Sequence, residues 1–321
     1  MDIHNVLVIM RADEKHLEQL RQAAPGAEVI RQSVKTLTDE QIEAADVIVG
    51  NLPPERLPKM KKARLLQLNT AGVTAPYLAL GQTAPDTVLC CASGAYGPAI
   101  SEHMLATLLG LMKRLHEYRD DQHQAAWVDR GPVRSLRDAR VLVVGLGDIG
   151  QNFARLASLM GAKVTGIRRR AGTPPEGVDK VATMEELDQL LPQADVVALS
   201  LPETKETIGL MDARRFGLMK PGSYLLNVGR GSAVNQEALV EALQSGHLAG
   251  ASIDVTTPEP LPKEHPLWQQ RNLLLTPHIS GQYHMQITHD GIVDIAAHNI
   301  RVLREGGDFI ARVDYKSGYR A

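Results

Sequence analysis

The sequence predicts an α/β protein of two doubly wound parallel-sheet domains, one inserted in the other. Three observations carry this expectation. Short apolar, β-branched runs alternate with helical patterns through nearly the whole chain. The pattern halts and restarts once, across a polar stretch at 119–138 that contains Gly131-Pro132. The 321 residues suffice for two domains of ordinary size. Strands that read as continuous apolar runs spaced by helices belong in a sheet covered on both faces.

The first set of strands is expected at Asn5–Met10, Ala27–Gln32, Asp46–Asn51, Leu65–Thr70 and Thr87–Ser93. Glu14–Ala24, with Leu17 and Leu20 on one face, is the first intervening helix. One long helix is expected from Pro98 to Tyr118; its apolar residues exceed a single stripe, which suits burial on two sides. After the polar stretch come strands at Arg140–Leu146, Lys163–Arg168, Asp195–Leu201, Ser223–Val228, Ala249–Val255 and Asn272–Thr276. The clearest helices among them are Ile149–Met160 and Gln236–Ser245. Six such strands make a complete dinucleotide-binding sheet. A last helix, Gln286–Glu305, is expected to pack back on the first domain. The domains would then be 1–98 with 287–321, and 99–286 inserted between them.

Composition excludes several classes. Lys plus Arg number 35 against 37 Asp plus Glu, a net charge of −2, so no strongly basic surface for nucleic acid is expected. Aromatic residues are 4% of the chain, leaving Val, Leu, Ile, Ala and Met to build the cores. Cys90 and Cys91 are neighbours in an apolar run, a poor staple, and read as buried thiols in a reducing compartment. The first residues lack the basic start and apolar run of a signal peptide. The best membrane candidate, Ala99–Tyr118, holds Glu102, His103, Lys113, Arg114, His116 and Glu117, so no spanning helix is expected. These features point to the cytoplasm.

Arg140-Val-Leu-Val-Val-Gly-Leu-Gly-Asp-Ile-Gly150 places Gly145, Gly147 and Gly150 between an apolar strand and a helix start. In a Rossmann-type loop the first glycine permits the turn, the second admits a pyrophosphate to the backbone, and the third allows close helix–strand packing. The helix N-terminus, at Asp148 and Ile149, offers N–H groups and the positive end of a dipole. The next strand ends in Arg168-Arg169-Arg170, with Arg168 lying 18 residues after Gly150. An NAD site carries Asp or Glu near there to accept the ribose hydroxyls. Guanidinium groups instead form charge-assisted bonds with a 2′-phosphate, so NADP(H) is preferred and NAD(H) use stays open. A solvated basic loop is the plain alternative for this arginine run.

Hydride transfer to a carbonyl needs orientation, a proton relay and stabilised charge on oxygen. Paired cysteines at zinc-ligand spacing are missing, and none of the seven tyrosines has Lys four residues on. A His with a carboxylate, plus an Arg, is the remaining solution. Three segments just after strands supply those types: Asn227-Val-Gly-Arg-Gly231, Asp254-Val-Thr-Thr-Pro-Glu-Pro-Leu261 and Thr276-Pro-His-Ile-Ser-Gly281. His284, His289 and His298 are spaced five and nine apart and read as ordinary helix residues, not metal ligands.

Together with Leu201-Pro-Glu-Thr-Lys-Glu-Thr207, the segment from Met219 to Gly231 and Pro266-Leu-Trp268, these motifs resemble the D-isomer-specific 2-hydroxyacid dehydrogenases. The resemblance runs from about Asn69 to the end; the first 60 residues match only in their βα pattern. It implies an NAD(P)-binding Rossmann domain inserted in a flavodoxin-like substrate domain, with a small 2-oxo or 2-hydroxy acid such as glyoxylate or hydroxypyruvate bound in a cleft. It implies Arg230 as substrate anchor, Glu259 as relay carboxylate and His278 as acid/base. It further implies cofactor contacts from Leu201, Pro202, Thr207, Val228, Gly229, Asp254, Ser280 and Gly281. The backbone of Ala71, Gly72 and Val73 would bind the substrate carboxylate, and the helix from Ser101 would serve dimer contacts. Thr74 and Thr256 depart from residue types common in the family, which bears on the side-chain pocket. Formate dehydrogenases carry Gln where Glu259 stands. The rival outside the enzymes is a dinucleotide-sensing corepressor on the same scaffold.

Overall fold

The computed structural model describes residues 2–282, 285–316 and 318. The chain divides into two compact units, Met1–Tyr96 with Tyr283–Ala321, and Gly97–Gln282.

The first unit holds β1 (Asn5–Val8), β2 (Glu28–Arg31), β3 (Val47–Val49), β4 (Leu65–Gln67) and β5 (Val88–Cys90) in the order β2-β1-β3-β4-β5. All pairs are parallel, with Val6 opposite both Val29 and Val47. This is the flavodoxin-like order. Its strands are shorter than the apolar runs predict; flanking residues such as Ile9 and Leu68 still donate one amide each to the Val49 and Cys90 carbonyls and stay buried. The helix Gln286–Glu305 packs on helix Glu14–Ala23 and on β4. Asn299, fully buried, donates from Nδ2 to Gln67 Oε1 at 2.7 Å and accepts from the Ile310 amide at 2.8 Å. Burial without those partners would cost about 1–3 kcal/mol per group.

The second unit holds β6 (Arg140–Val144), β7 (Lys163–Ile167), β8 (Lys180–Ala182), β9 (Val196–Leu199), β10 (Ser223–Asn227), β11 (Leu248–Ile253) and β12 (Leu273–Leu275). Their order is β12-β11-β10-β9-β6-β7-β8, every pair parallel. This is the doubly wound dinucleotide order with a seventh strand added beyond β11. The sequence predicts six strands here; β8, three residues at the sheet edge after a loop with two prolines, is too short to show a period. The winding reverses between β6 and β9, so their C-terminal ends open the crevice where such sheets bind ligands. Helix Asp148–Leu159 buries Gly150, Phe153, Ala154 and Ala157, one face at helical spacing.

The single helix predicted over 98–118 is two: Gly97–Met112 and Leu115–His123. The break is at Arg114, whose φ of 57° is left-handed. Its guanidinium offsets that strain by pairing with Glu117 through two hydrogen bonds of 2.8 Å and by donating to the Arg130 carbonyl. Hydropathy periodicity does not register one left-handed residue. Cys90 and Cys91 are buried thiols outside any disulfide among the described residues, and burial pushes the Cys90 thiol up to about 12. Among the described residues no helix is long and apolar enough to cross a membrane.

Candidate active site

The candidate residues of the second unit follow the C-terminal ends of its strands. Gly145 follows β6 with φ +106°, and a Cβ there would lie 2.9 Å from the Ser200 carbonyl. At Gly150 a Cβ would lie 1.9 Å from the Gly145 carbonyl oxygen, so the turn and helix can approach only without side chains. Ser200 Oγ donates to that same carbonyl at 2.8 Å. Gly147 has open space around its missing Cβ and precedes the helix, with no side chain capping the first amides. A pyrophosphate fits this arrangement, since a helix N-terminus and its dipole face the place where it must approach. The Asp148 side chain turns elsewhere: Oδ2 accepts from the Gly97 amide at 2.8 Å, leaving its backbone and that of Ile149 to the helix end.

Arg168 follows β7 and is half-buried. Its Nη2 donates to the Thr173 carbonyl at 3.2 Å, while its Nε is buried with no acceptor among the described residues. A Cβ on Gly172 would sit 2.3 Å from that guanidinium. An orphaned donor suits an anionic oxygen. Arg169 is exposed.

After β9, Leu201 lies against two of the glycines: a Cβ on Gly145 would be 3.1 Å from its side chain, and one on Gly229 2.5 Å from its carbonyl oxygen. Thr207 is buried, and its hydroxyl is committed to the loop, donating to the Pro202 carbonyl at 2.7 Å and accepting from the Thr204 amide at 2.8 Å. After β10, Val228 is buried, and Arg230 Nη1 donates to the Gly229 carbonyl at 2.7 Å. A Cβ on Gly231 would sit 2.1 Å from the Thr256 carbonyl, so this glycine brings the arginine loop against the segment after β11.

That segment supplies Glu259. Its Oε1 accepts from the Thr256 amide at 3.0 Å, and its Oε2 lies 2.8 Å from His278 Nδ1. The imidazole and carboxylate are 48% and 39% exposed, so the pair faces open space and Nε2 is the nitrogen available to a substrate. His278 has φ 53°, a left-handed conformation few non-glycine residues adopt. Asp254 explains how it is held. This carboxylate, 2% exposed, accepts from Thr276 Oγ1 (2.6 Å) and the Ile279 amide (2.9 Å) at Oδ1, and from the Ser280 amide (3.0 Å) and Ser280 Oγ (2.5 Å) at Oδ2. The Asp254 carbonyl also accepts from the His278 amide at 2.8 Å. The sequence places Asp254 only beside a cofactor; its clamp on 276–280 was signalled by nothing but its position at a strand end.

Ala71, Gly72 and Val73 lie in the first unit, in a turn where Thr70 Oγ1 donates to the Gly72 carbonyl at 3.0 Å and accepts from Asn51 Nδ2 at 3.2 Å. His284 is outside the described residues. His289 is buried beside His16, and His298 Nε2 lies 3.1 Å from the Asp308 carbonyl. Among the described residues no three or more His, Cys, Asp or Glu are grouped to hold a metal ion.

A switch-point sheet with a glycine turn, and an imidazole–carboxylate pair after its neighbouring strands, defines a class: a dinucleotide-binding α/β oxidoreductase. Residues 105–280 match the family described as D-isomer specific 2-hydroxyacid dehydrogenase, NAD binding domain. A mouse glyoxylate reductase/hydroxypyruvate reductase is 32% identical over 74% of this chain and 74% of its own. Glyoxylate/hydroxypyruvate reductase A of Citrobacter koseri is 33% identical over 70% of each. A solved family member from Aeromonas salmonicida is 34% identical with a TM-score of 0.84, covering 98% of this chain and 100% of its own. Another, from Xanthobacter autotrophicus in complex with NADPH and MES, is 28% identical with a TM-score of 0.83, covering 99% and 100%. The chain belongs to the D-isomer specific 2-hydroxyacid dehydrogenase family, and is an oxidoreductase that works with NAD(P).

Proposed function

We propose that this enzyme reduces a small 2-oxo acid, of the glyoxylate or hydroxypyruvate kind, to the D-2-hydroxy acid, with NADP(H) preferred over NAD(H). The observation that carries the reading is the 2.8 Å contact of His278 Nδ1 with Glu259 Oε2, which leaves Nε2 to the substrate. The bound nicotinamide supplies the hydride. Protonated His278 gives its Nε2 proton to the carbonyl oxygen, so charge does not accumulate there. Glu259 fixes the ring through its contact with Nδ1. Arg230 holds the carboxylate and carbonyl oxygens through charge-assisted bonds. Neutral His278 serves as the base in the reverse direction. The amides of Ala71, Gly72 and Val73 are assigned to the substrate carboxylate, and the domains to 1–98 with 287–321 and 99–286. Cofactor contacts are assigned to the glycine loop and to Leu201, Pro202, Thr207, Val228, Gly229, Asp254, Ser280 and Gly281.

Relatives named for glyoxylate and hydroxypyruvate support the substrate class, and the orphaned Arg168 Nε supports a 2′-phosphate. A cytoplasmic homodimer belongs to the same reading. Fully exposed Trp127, with exposed Leu115, Val128 and Val133 near it in sequence, supplies apolar surface for a second copy. Light scattering reads the dimer directly. The activity is tested by following NADPH and NADH oxidation with a panel of 2-oxo acids, beside His278→Ala. Turnover that drops about 10²–10⁴-fold in the variant supports the assignment. No turnover by wild type that binds NADPH normally favours the sensor instead.

A further inference from the structure

The loop bearing Glu259 has an anchor outside the His–Glu–Arg set. Gln236, at the start of helix Gln236–Gln244, is only 7% exposed, although Gln is mostly a surface residue. Its Nε2 donates to the Thr257 carbonyl at 2.8 Å, and its Oε1 accepts from the Thr257 amide at 2.9 Å. One side-chain amide thus takes both backbone polar groups of a residue 21 positions away. The helix end is itself fixed, because Asn235 Oδ1 accepts from the Ala238 amide at 2.8 Å. On the other side of Thr257, the Thr256 amide donates to Glu259 Oε1 at 3.0 Å and Thr256 Oγ1 to the Pro258 carbonyl at 2.9 Å. The Thr256 backbone also rests on Gly231, the neighbour of Arg230. The 256–259 backbone is therefore pinned at 257 by the helix and at 256 by the carboxylate it presents.

We propose that Gln236 is a positioning residue for the reaction: it fixes the 256–259 loop so that Glu259 Oε2 meets His278 Nδ1, without itself touching substrate or cofactor. This rests on the acid–base reading of Glu259 and His278. A carboxylate allowed to drift loses its hold on the imidazole, and catalytic geometry is sensitive to displacements of about 1 Å. The loss should fall on kcat and pass through Glu259.

The test measures kcat and KM for glyoxylate and NADPH in wild type, Gln236→Leu, Gln236→Glu, Glu259→Gln and the double variant Gln236→Leu/Glu259→Gln. Leu removes both bonds to Thr257. Glu keeps an acceptor for its amide but sets oxygen against its carbonyl. Gln236→Leu is expected to lose about tenfold in kcat, the scale of one or two lost hydrogen bonds, with KM for NADPH unchanged. Gln236→Glu should fall between it and wild type. The double variant should be no slower than Glu259→Gln alone, because both act through one contact. Wild-type kcat in Gln236→Leu, a loss confined to KM for NADPH, or losses that multiply in the double variant would each overturn the assignment. Should Gln236→Leu not fold, wild-type kcat in Gln236→Glu overturns it equally. A fully active Glu259→Gln overturns the acid–base reading beneath it, whereas an impaired Glu259→Gln beside an unimpaired Gln236→Leu overturns only the role of Gln236.

Discussion

Asp254→Asn removes one charge and changes almost no volume, yet the hydrogen-bond pattern predicts a large effect. Each carboxylate oxygen accepts one hydroxyl and one backbone amide: Thr276 Oγ1 and Ile279 N–H at Oδ1, Ser280 Oγ and Ser280 N–H at Oδ2. An asparagine must place its NH2 at one of these sites. The hydroxyl there can turn and accept, but the backbone amide can only donate. In either orientation one buried N–H therefore faces another N–H. Leaving a buried donor unsatisfied costs about 1–3 kcal/mol, and the bonds that survive lose their ionic assistance. A total of about 2–4 kcal/mol follows for the second unit, measured by urea unfolding. The catalytic cost is separate. The segment being loosened contains His278, whose left-handed φ is of the kind held only by surrounding structure. If the ring moves by about 1 Å, kcat falls by about 10²-fold. Steady-state assays at saturating cofactor would show that loss. Unfolding and kcat both matching wild type would refute the clamp.

The remaining predictions concern cofactor choice and acid lability. Arg168→Asp should move the ratio of kcat/KM for NADPH over NADH toward NADH, since a carboxylate accepts ribose hydroxyls and repels a 2′-phosphate; an unchanged ratio removes Arg168 from that role. The Arg114 guanidinium, hydrogen-bonded to Glu117, holds that carboxyl below its ordinary value of 4.5. A depressed carboxyl contributes stability that is complete above its unfolded value and is lost as pH falls through the lower folded one. Glu117→Gln should therefore lower Tm near neutral pH and lose less on acidification below about pH 4.5 than wild type does, as scanning calorimetry would show.

The residues that could be read from sequence were those whose role depends on a few neighbours. Gly145, Gly147 and Gly150 declare themselves because a turn, an approach and a packing contact each demand a missing side chain within six positions. The helix Gln286–Glu305 has the bounds its sequence pattern predicts. Arg168 stood out because an acid was expected at that distance. Other features were hidden because their causes are not local. β8 pairs only at an edge, and the left-handed Arg114 depends on Glu117 and on the Arg130 carbonyl. The Thr207 hydroxyl takes the Pro202 carbonyl and the Thr204 amide as partners, an arrangement that only the folded loop supplies.

By itself, the sequence determined two parallel sheets, a glycine turn suited to a pyrophosphate, and an Arg, a Glu and a His each just after a strand. These follow from periodicity, from glycine stereochemistry and from which residue types end a strand. Tertiary structure alone decided that Glu259 Oε2 meets His278 Nδ1 across 19 residues, that Asp254 grips 276–280, and that Gln236 spans to Thr257. The physical reason is one of range. Backbone preference acts over a few residues, whereas a hydrogen bond between loops exists only once parallel strands have laid those loops side by side.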